Sequence, residues 1–217
     1  MTLDILAALV AFCFVGVITP GPNNLMLMAS GANFGFRRTV PHMIGVGLGM
    51  PILVMLVGIG IIRVFDAFPI VQTILTVLSV LYLLYLAWKI ANAAPPLKAG
   101  EGEAGTPMTF LQAVAFQWVN PKAWFMALSA ITLYAGGRDP TALLWVAGSY
   151  CAVSSVSTTS WTALGQQMRR FLNSPGRLRG FNWTMAALLV ATLIPVLWPA
   201  DHSEEGLPDD VDTAAYQ

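Results

Sequence analysis

Six apolar runs, at about 4–33, 39–62, 68–91, 109–134, 141–165 and 181–199, leave almost every charged residue in the short segments between them. A helix needs roughly 20 apolar residues to cross the hydrocarbon core of a bilayer. Only 10% of the 217 residues are charged, against about 25% in a soluble domain. So few charges cannot clothe a water-facing surface. The pattern predicts an all-α polytopic membrane protein with about six transmembrane helices, in a single membrane domain over 1–199.

The remaining segments are as distinct as the spans. Residues 93–108 contain Pro95-Pro96 followed by a Gly- and charge-rich stretch, which reads as a linker between halves 1–92 and 109–199. Residues 200–217 hold six of the eleven acidic residues and read as a disordered tail. The other five (Asp4, Asp66, Glu101, Glu103 and Asp139) stand at or beyond the edges of the apolar runs. No carboxylate is placed deep in the membrane.

Cys13 and Cys151 fall within apolar runs and read as small packing residues rather than a disulfide. The N-terminus lacks a basic region and a small-residue cleavage site, so its apolar run is expected to be the first span. Orientation follows from Lys and Arg. With the N-terminus outside, the cytoplasmic loops hold Arg37, Arg38, Lys89, Lys98, Arg169, Arg170, Arg177 and Arg179, and the outer loops only Arg63 and Arg138. This bias predicts both termini outside.

Two of the runs are interrupted in the same way. The first stops at Thr19-Pro20-Gly21-Pro22 and the fourth at Asn120-Pro121, with the prolines at 20 and 121 separated by 101 positions. Three spans per half would insert the second half the other way up, giving an inverted three-plus-three repeat with helices 1 and 4 broken. Proline deletes a backbone hydrogen bond and clashes with the preceding turn, and in lipid the freed groups must find partners or line a cavity. Pro22 suits the first position of a new half-helix, followed by the paired amides Asn23 and Asn24; a packing kink with satisfied asparagines is the plainer alternative. Asn120 is a good N-cap and Pro121 a good first helical residue. Lys122 is the one basic residue expected near mid-membrane. Beside a half-helix N-terminus its charge opposes the dipole, so an arriving anion such as a substrate carboxylate would stabilise it. The alternative is a lysine that snorkels to the interface.

His42, following Pro41 at the start of the second span, could relay protons or simply hydrogen-bond at the interface. The fifth span carries Ser149, Ser154, Ser155, Ser157, Thr158, Thr159, Ser160 and Thr162, a density that suits either a hydrated path or close helix packing. Gly31 with Gly35, and Gly45 with Gly49, have the spacing that lets helices approach closely. Signatures of enzymes are absent: no His-Glu-x-x-His, Gly-x-Ser-x-Gly or phosphate loop. The chain is therefore read as a non-enzyme without cofactor or metal, and nothing in it calls for a nucleic acid.

The segment Thr19-Pro20-Gly21-Pro22-Asn23-Asn24, its continuation to Arg38, and Phe116-Gln117-Trp118-Val119-Asn120-Pro121-Lys122-Ala123-Trp124 together resemble the lysine exporter (LysE/RhtB) family of amino-acid efflux proteins. The likeness runs to about residue 199 and most resembles the cysteine and O-acetylserine exporter branch. The resemblance implies a bacterial inner-membrane protein that moves small amino acids outward, driven by protons. It also implies that Thr19, Pro20, Gly21, Pro22, Asn23, Asn24, Gln117, Asn120, Pro121 and Lys122 lie around the substrate path. A homodimer is compatible with it. Many relatives carry an acid where Asn23 stands or in the second span; this chain is neutral at both, which leaves the usual carboxylate proton carrier missing. An uncoupled facilitator and a structural or accessory membrane subunit are the alternatives. Because a cation taken out of water needs a counter-charge, the missing carboxylate favours neutral zwitterions of cysteine, O-acetylserine, threonine or homoserine type over lysine or arginine.

Overall fold

A computed structural model of the chain describes residues 1–61, 67–68, 70–93, 106–136 and 139–197. Among these residues the structure is helical and contains no strand. The helices are α1 (Leu3–Ile18), α2 (Pro22–Phe34), α3 (Phe36–Leu56, running into a wider turn at Val57–Ile61), α4 (Ile70–Ala91), α5 (Phe110–Val119), α6 (Pro121–Tyr134), α7 (Pro140–Met168), α8 (Pro175–Ala191) and a short α9 (Ile194–Leu197).

Proline sets most of the starts. Pro22, Pro121, Pro140 and Pro175 all occupy the first turn of a helix, where their missing N–H costs nothing. The residue before a proline is pushed out of the helical region. Asn120, Asp139 and Ser174 are accordingly non-helical, and each turns its side chain onto a free N–H of the following helix. Thr19, before Pro20, is extended at φ −63°, ψ 145°, which ends α1. Thr109 and Gln112 cap α5 reciprocally. Gly35 joins α2 to α3 at φ 80° and Gly60 closes the turn after α3 at φ 112°, a backbone region that side-chain-bearing residues rarely adopt.

The described residues thus form six rods: α1/α2, α3, α4, α5/α6, α7 and α8/α9. Three stretches are long and apolar enough to cross a membrane on their own (Phe36–Gly60, Ile70–Ala91 and Pro175–Leu197), and the pair α1/α2, bent by 57°, qualifies as a fourth. α7 has 29 residues, about 43 Å of helix, and its hydroxyl residues dilute an apolar sequence. Apolar stripes face outward, such as Ile44, Leu48 and Ile52 on α3 and Leu81, Tyr85 and Trp88 on α4. Lipid is the solvent such stripes require.

α7 lies along α1, α2 and α3; α3 lies along α5; α4 packs on α8. Exchanging α1, α2, α3 and α4 for α5, α6, α7 and α8 maps the α3–α7 and α4–α8 contacts onto themselves. It also maps α3–α5 onto α7–α1 and α2–α7 onto α6–α3. This is the contact pattern of two halves packed in like manner. The crossings are close because glycine makes them so. A methyl group at Gly31 would strike the Thr162 carbonyl, at Gly165 the Met28 carbonyl, and at Gly45 the Phe110 carbonyl and Ala113. Gly49 likewise packs on Val114 and Gln117. Gly35 serves the α2–α3 turn instead.

Two expectations change. The sixth helix begins at Pro175, six residues before the expected 181, because Ser174-Pro175 starts a helix before its apolar stretch begins. Arg177 and Arg179, expected in a loop, are therefore helical. Cys13 and Cys151 are both free, Cys13 fully buried and Cys151 partly so. Most of the linker expectation (94–105) and the whole acidic tail lie outside the described residues.

Candidate functional site

The site is built by the two breaks meeting. At the first break the end of α1 presents carbonyls that no helical turn can use, and each finds a donor from elsewhere. Val17 O accepts from Asn24 Nδ2 (2.7 Å) and Ser157 Oγ (2.8 Å). Ile18 O accepts from Trp161 Nε1 at 3.0 Å. Thr19 O accepts from Asn24 Nδ2 (2.8 Å) and Lys122 Nζ (3.0 Å). The Lys122 ammonium also reaches Thr19 Oγ1 at 2.8 Å and Pro20 O at 3.3 Å. Its three donors thus meet three oxygens at the negative end of the α1 dipole.

This arrangement answers the question that Lys122 raised. Its backbone does stand in the first turn of α6, but its charge is delivered to the C-terminal end of α1. The cation is stabilised within the protein without an arriving anion, and it does not snorkel to an interface. Gly21 makes room for it: a Cβ there would lie 3.0 Å from Lys122 Cδ and 3.1 Å from Nζ.

The second break closes largely on itself. Asn120 is 2% exposed, and its Oδ1 accepts from Lys122 N at 3.2 Å, capping α6. Asn120 N returns to Gln117 O, Trp124 Nε1 donates to Trp118 O, and Ser79 Oγ donates to Val119 O. Pro121 sets the helix start. The two breaks are joined by a reciprocal amide pair: Asn23 Nδ2 donates to Gln117 Oε1 (2.9 Å) and Gln117 Nε2 to Asn23 Oδ1 (3.3 Å). Gln117, fully buried, also donates to Ala113 O.

One terminus stays open. α2 starts at Pro22 with no side-chain cap, and the N–H groups of Asn23 and Asn24 have no partner among the described residues. This end borders a cavity of about 440 Å³ lined by Gly21, Pro22, Asn23, Asn24, Gln117, Asn120 and Lys122, with Val46 and Met50 of α3 and Ser154, Ser157 and Thr158 of α7. Thr19, Pro20 and Pro121 do not line it; Thr19 is bonded to its lining residues Asn24 and Lys122, and Pro20 to Lys122. Among the described residues its lining carries one cation, several amides and hydroxyls, and no carboxylate. An open helix N-terminus is an anion-accepting group, and hydroxyl and amide oxygens can receive an ammonium.

Ser154, Ser157 and Thr158, which line the cavity, and Trp161, which holds the end of α1, are residues that the breaks alone do not announce. Their spacing along α7 is the available signal, since it puts them on one face of a helix. The hydroxyl-rich fifth span serves both roles considered for it: Ser154, Ser157 and Thr158 line the cavity, whereas Thr162 meets Gly31 at a helix crossing. His42 does not join this site. It is fully buried, neither ring nitrogen has a hydrogen-bond partner among the described residues, and it borders a different cavity.

The chain matches the family described as LysE type translocator over residues 14–193. It is 29% identical over 204 residues to the cysteine/O-acetylserine efflux proteins of Escherichia coli (strain K12) and Shigella sonnei (strain Ss046). The alignment covers 91% of this chain and 100% of each relative. No solved structure matches the chain.

Proposed function

Since the chain belongs to the LysE type translocator family, a family of transporters rather than enzymes, we propose that it exports small neutral amino acids or their derivatives, of cysteine, O-acetylserine, threonine or homoserine type, across a bacterial inner membrane. The observation that carries the substrate class is the lining of the central cavity: an open helix N-terminus, a cation held by oxygens of α1, and no carboxylate.

In this reading the N–H groups of Asn23 and Asn24 receive the substrate carboxylate, with Lys122 close behind them. Ser154, Thr158 and the Gln117 carbonyl oxygen take the ammonium. A neutral side chain then meets Val46, Met50 and Met126. A lysine or arginine substrate would bring a second cation beside Lys122 with nothing to neutralise it, and desolvating it costs several kcal/mol. The two halves, 1–92 and 109–199, would work as one membrane domain joined through 93–108, alternating access by rocking about the paired breaks.

Arg37, Arg169 and Arg177 stand near one end of the bundle, where Phe36 N meets Gln166 and Asn182 meets Ala93 O. Placing that end in the cytoplasm puts both termini outside. A cysteine introduced at Ser174 would then react with an impermeant thiol reagent only after lysis, and one at Ser203 on intact spheroplasts. Labelling in the reverse order contradicts the placement.

The test of function is efflux from proteoliposomes loaded with labelled substrate. Cysteine and O-acetylserine should leave faster than lysine and arginine, and an imposed inward proton gradient should accelerate them. A second reading is favoured by the missing carboxylate: an uncoupled facilitator, for which the gradient would change nothing. Absence of transport for the whole panel would leave a structural or accessory subunit.

A further inference from the structure

A second cavity, of about 430 Å³, lies further along α2, toward the end of the bundle that carries Arg37 and Arg169. α2 runs from one cavity to the other: Asn23 and Asn24 border the central one, Met26 to Asn33 the second. α3 does the same, with Val46 and Met50 at the central cavity and His42 one turn away at the second. Between the two, Met26, Leu27, Met43, Val46 and Phe116 belong to one buried apolar cluster.

The polar content of the second cavity is small and uncommitted. Asn33 is taken by Asn182 and Ala29 O, and Ser30 is bonded to Thr39. Among the described residues what remains is the Lys89 ammonium, the His42 imidazole and, at the rim, the Thr106 hydroxyl. Lys89 has no hydrogen bond or ion pair among the described residues, and it stands in the last turn of α4, where the helix dipole favours a cation. His42 is fully buried with both ring nitrogens unpartnered, a rarity for a buried polar group, which is normally hydrogen-bonded. No carboxylate lines the cavity among the described residues, and Met26, Leu86 and Met108 supply apolar walls.

We propose that this second cavity is a staging site for the substrate: Lys89 and an imidazole N–H of His42 hold the carboxylate of an incoming amino acid on the cytoplasmic side of the apolar septum, before it enters the central cavity. The assignment rests on the exporter reading and extends it to two sequential sites for one substrate. Lys89 supplies charge and His42 a directional donor, while the short side chain lies against Met26, Leu86 and Met108. Transfer requires Met26, Met43 and Phe116 to part.

The experiment is equilibrium binding of labelled O-acetyl-L-serine to the purified full-length protein in lipid nanodiscs, paired with efflux from proteoliposomes. Two binding events per chain are expected. Lys89→Met should remove one of them, or weaken it more than tenfold, and raise the KM for efflux while the maximal rate falls less. Lys89→Arg should restore both readouts, and His42→Gln, which keeps a donor, should lose less than His42→Leu. Thermal melting of each variant in nanodiscs separates lost binding from lost folding. A single binding event, with its affinity and the efflux KM unchanged by Lys89→Met, overturns the staging site and leaves the central site standing. Competition by chloride as effective as by acetate overturns the carboxylate assignment in favour of an inorganic-anion site. Neither binding nor efflux of any amino acid by the wild type would remove the exporter reading and this site with it.

Discussion

The two proline breaks start from the same sequence logic and are finished by different means. At Asn120 the chain caps itself: the residue before the proline supplies its own side chain to α6. At Thr19-Pro20-Gly21 three residues leave the helix, and the α1 carbonyls are satisfied by Asn24, Lys122, Ser157 and Trp161. The new helix then begins on Gly21, which has no side chain to cap it. A self-capped break is a fixed joint. A break held by three other helical segments, with an open N-terminus, is one whose geometry depends on its neighbours. The two like halves are thus chemically asymmetric, and in the proposed exporter the first break is the member open to substrate.

The largest consequence falls on Lys122. If it caps α1, Lys122→Ala should abolish transport and also lower stability without substrate present, by about 1.5–3 kcal/mol for a charge-assisted contact. Thermal melting of the empty protein in nanodiscs reads this. A lysine that served only to bind substrate would leave that melting point unchanged. Lys122→Arg should recover part of the stability, since guanidinium keeps charge and donors but not the ammonium's shape.

Next comes Asn24, which donates to both Val17 O and Thr19 O. Asn24→Ala leaves two carbonyls with one fewer donor each and should cost about 1–3 kcal/mol, with a matching loss of efflux. Its counterpart at the second break, Asn120→Ala, removes a single N-cap and should cost about 1 kcal/mol. Asn120→Ser or Asn120→Asp should restore most of that. If Asn120→Ala proved the more damaging of the two, the asymmetry between the breaks would be reversed.

Much of this was legible in the sequence, and the boundary is physical. The positions of the breaks and the starts at Pro22 and Pro121 follow from local sterics of proline, which act within a few residues. The close approach at Gly31, Gly45 and Gly49 follows from spacing alone. The destination of the Lys122 side chain does not, because its partners lie 103 and 102 positions upstream. Local reasoning sees only the α6 N-terminus at Lys122 and assigns it the wrong dipole end to answer to. The role of Trp161 and the partner of Ser157 are hidden for the same reason: each pairs with α1 from more than 100 residues away. His42 stood at the edge of an apolar run, which suggests an interface, but the packing of α2, α4 and residues 106–108 around that end buries it. Ser174-Pro175 is a readable start signal, which hydrophobicity does not register because the apolar stretch begins only later.

The smallest expected effect concerns the link between the breaks. Asn23 and Gln117 exchange two amide hydrogen bonds across 94 positions of sequence, and this pair is the direct side-chain bridge from the α2 start to α5. Interhelical hydrogen bonds within membranes contribute only about 0.6 kcal/mol on average when isolated by double-mutant cycles. The cycle Asn23→Ala, Gln117→Ala and the double variant should therefore show a stability coupling near that value, small beside the Lys122 effect. Transport should respond differently. If the bridge sets the position of the open α2 terminus against the fixed joint at Asn120, either single variant misplaces the carboxylate-accepting N–H groups, and the second adds little. Efflux KM should then rise in each single variant and be strongly non-additive in the double. Additive changes in KM would mean that Asn23 and Gln117 act on substrate separately, and that the two breaks are neighbours without being coupled.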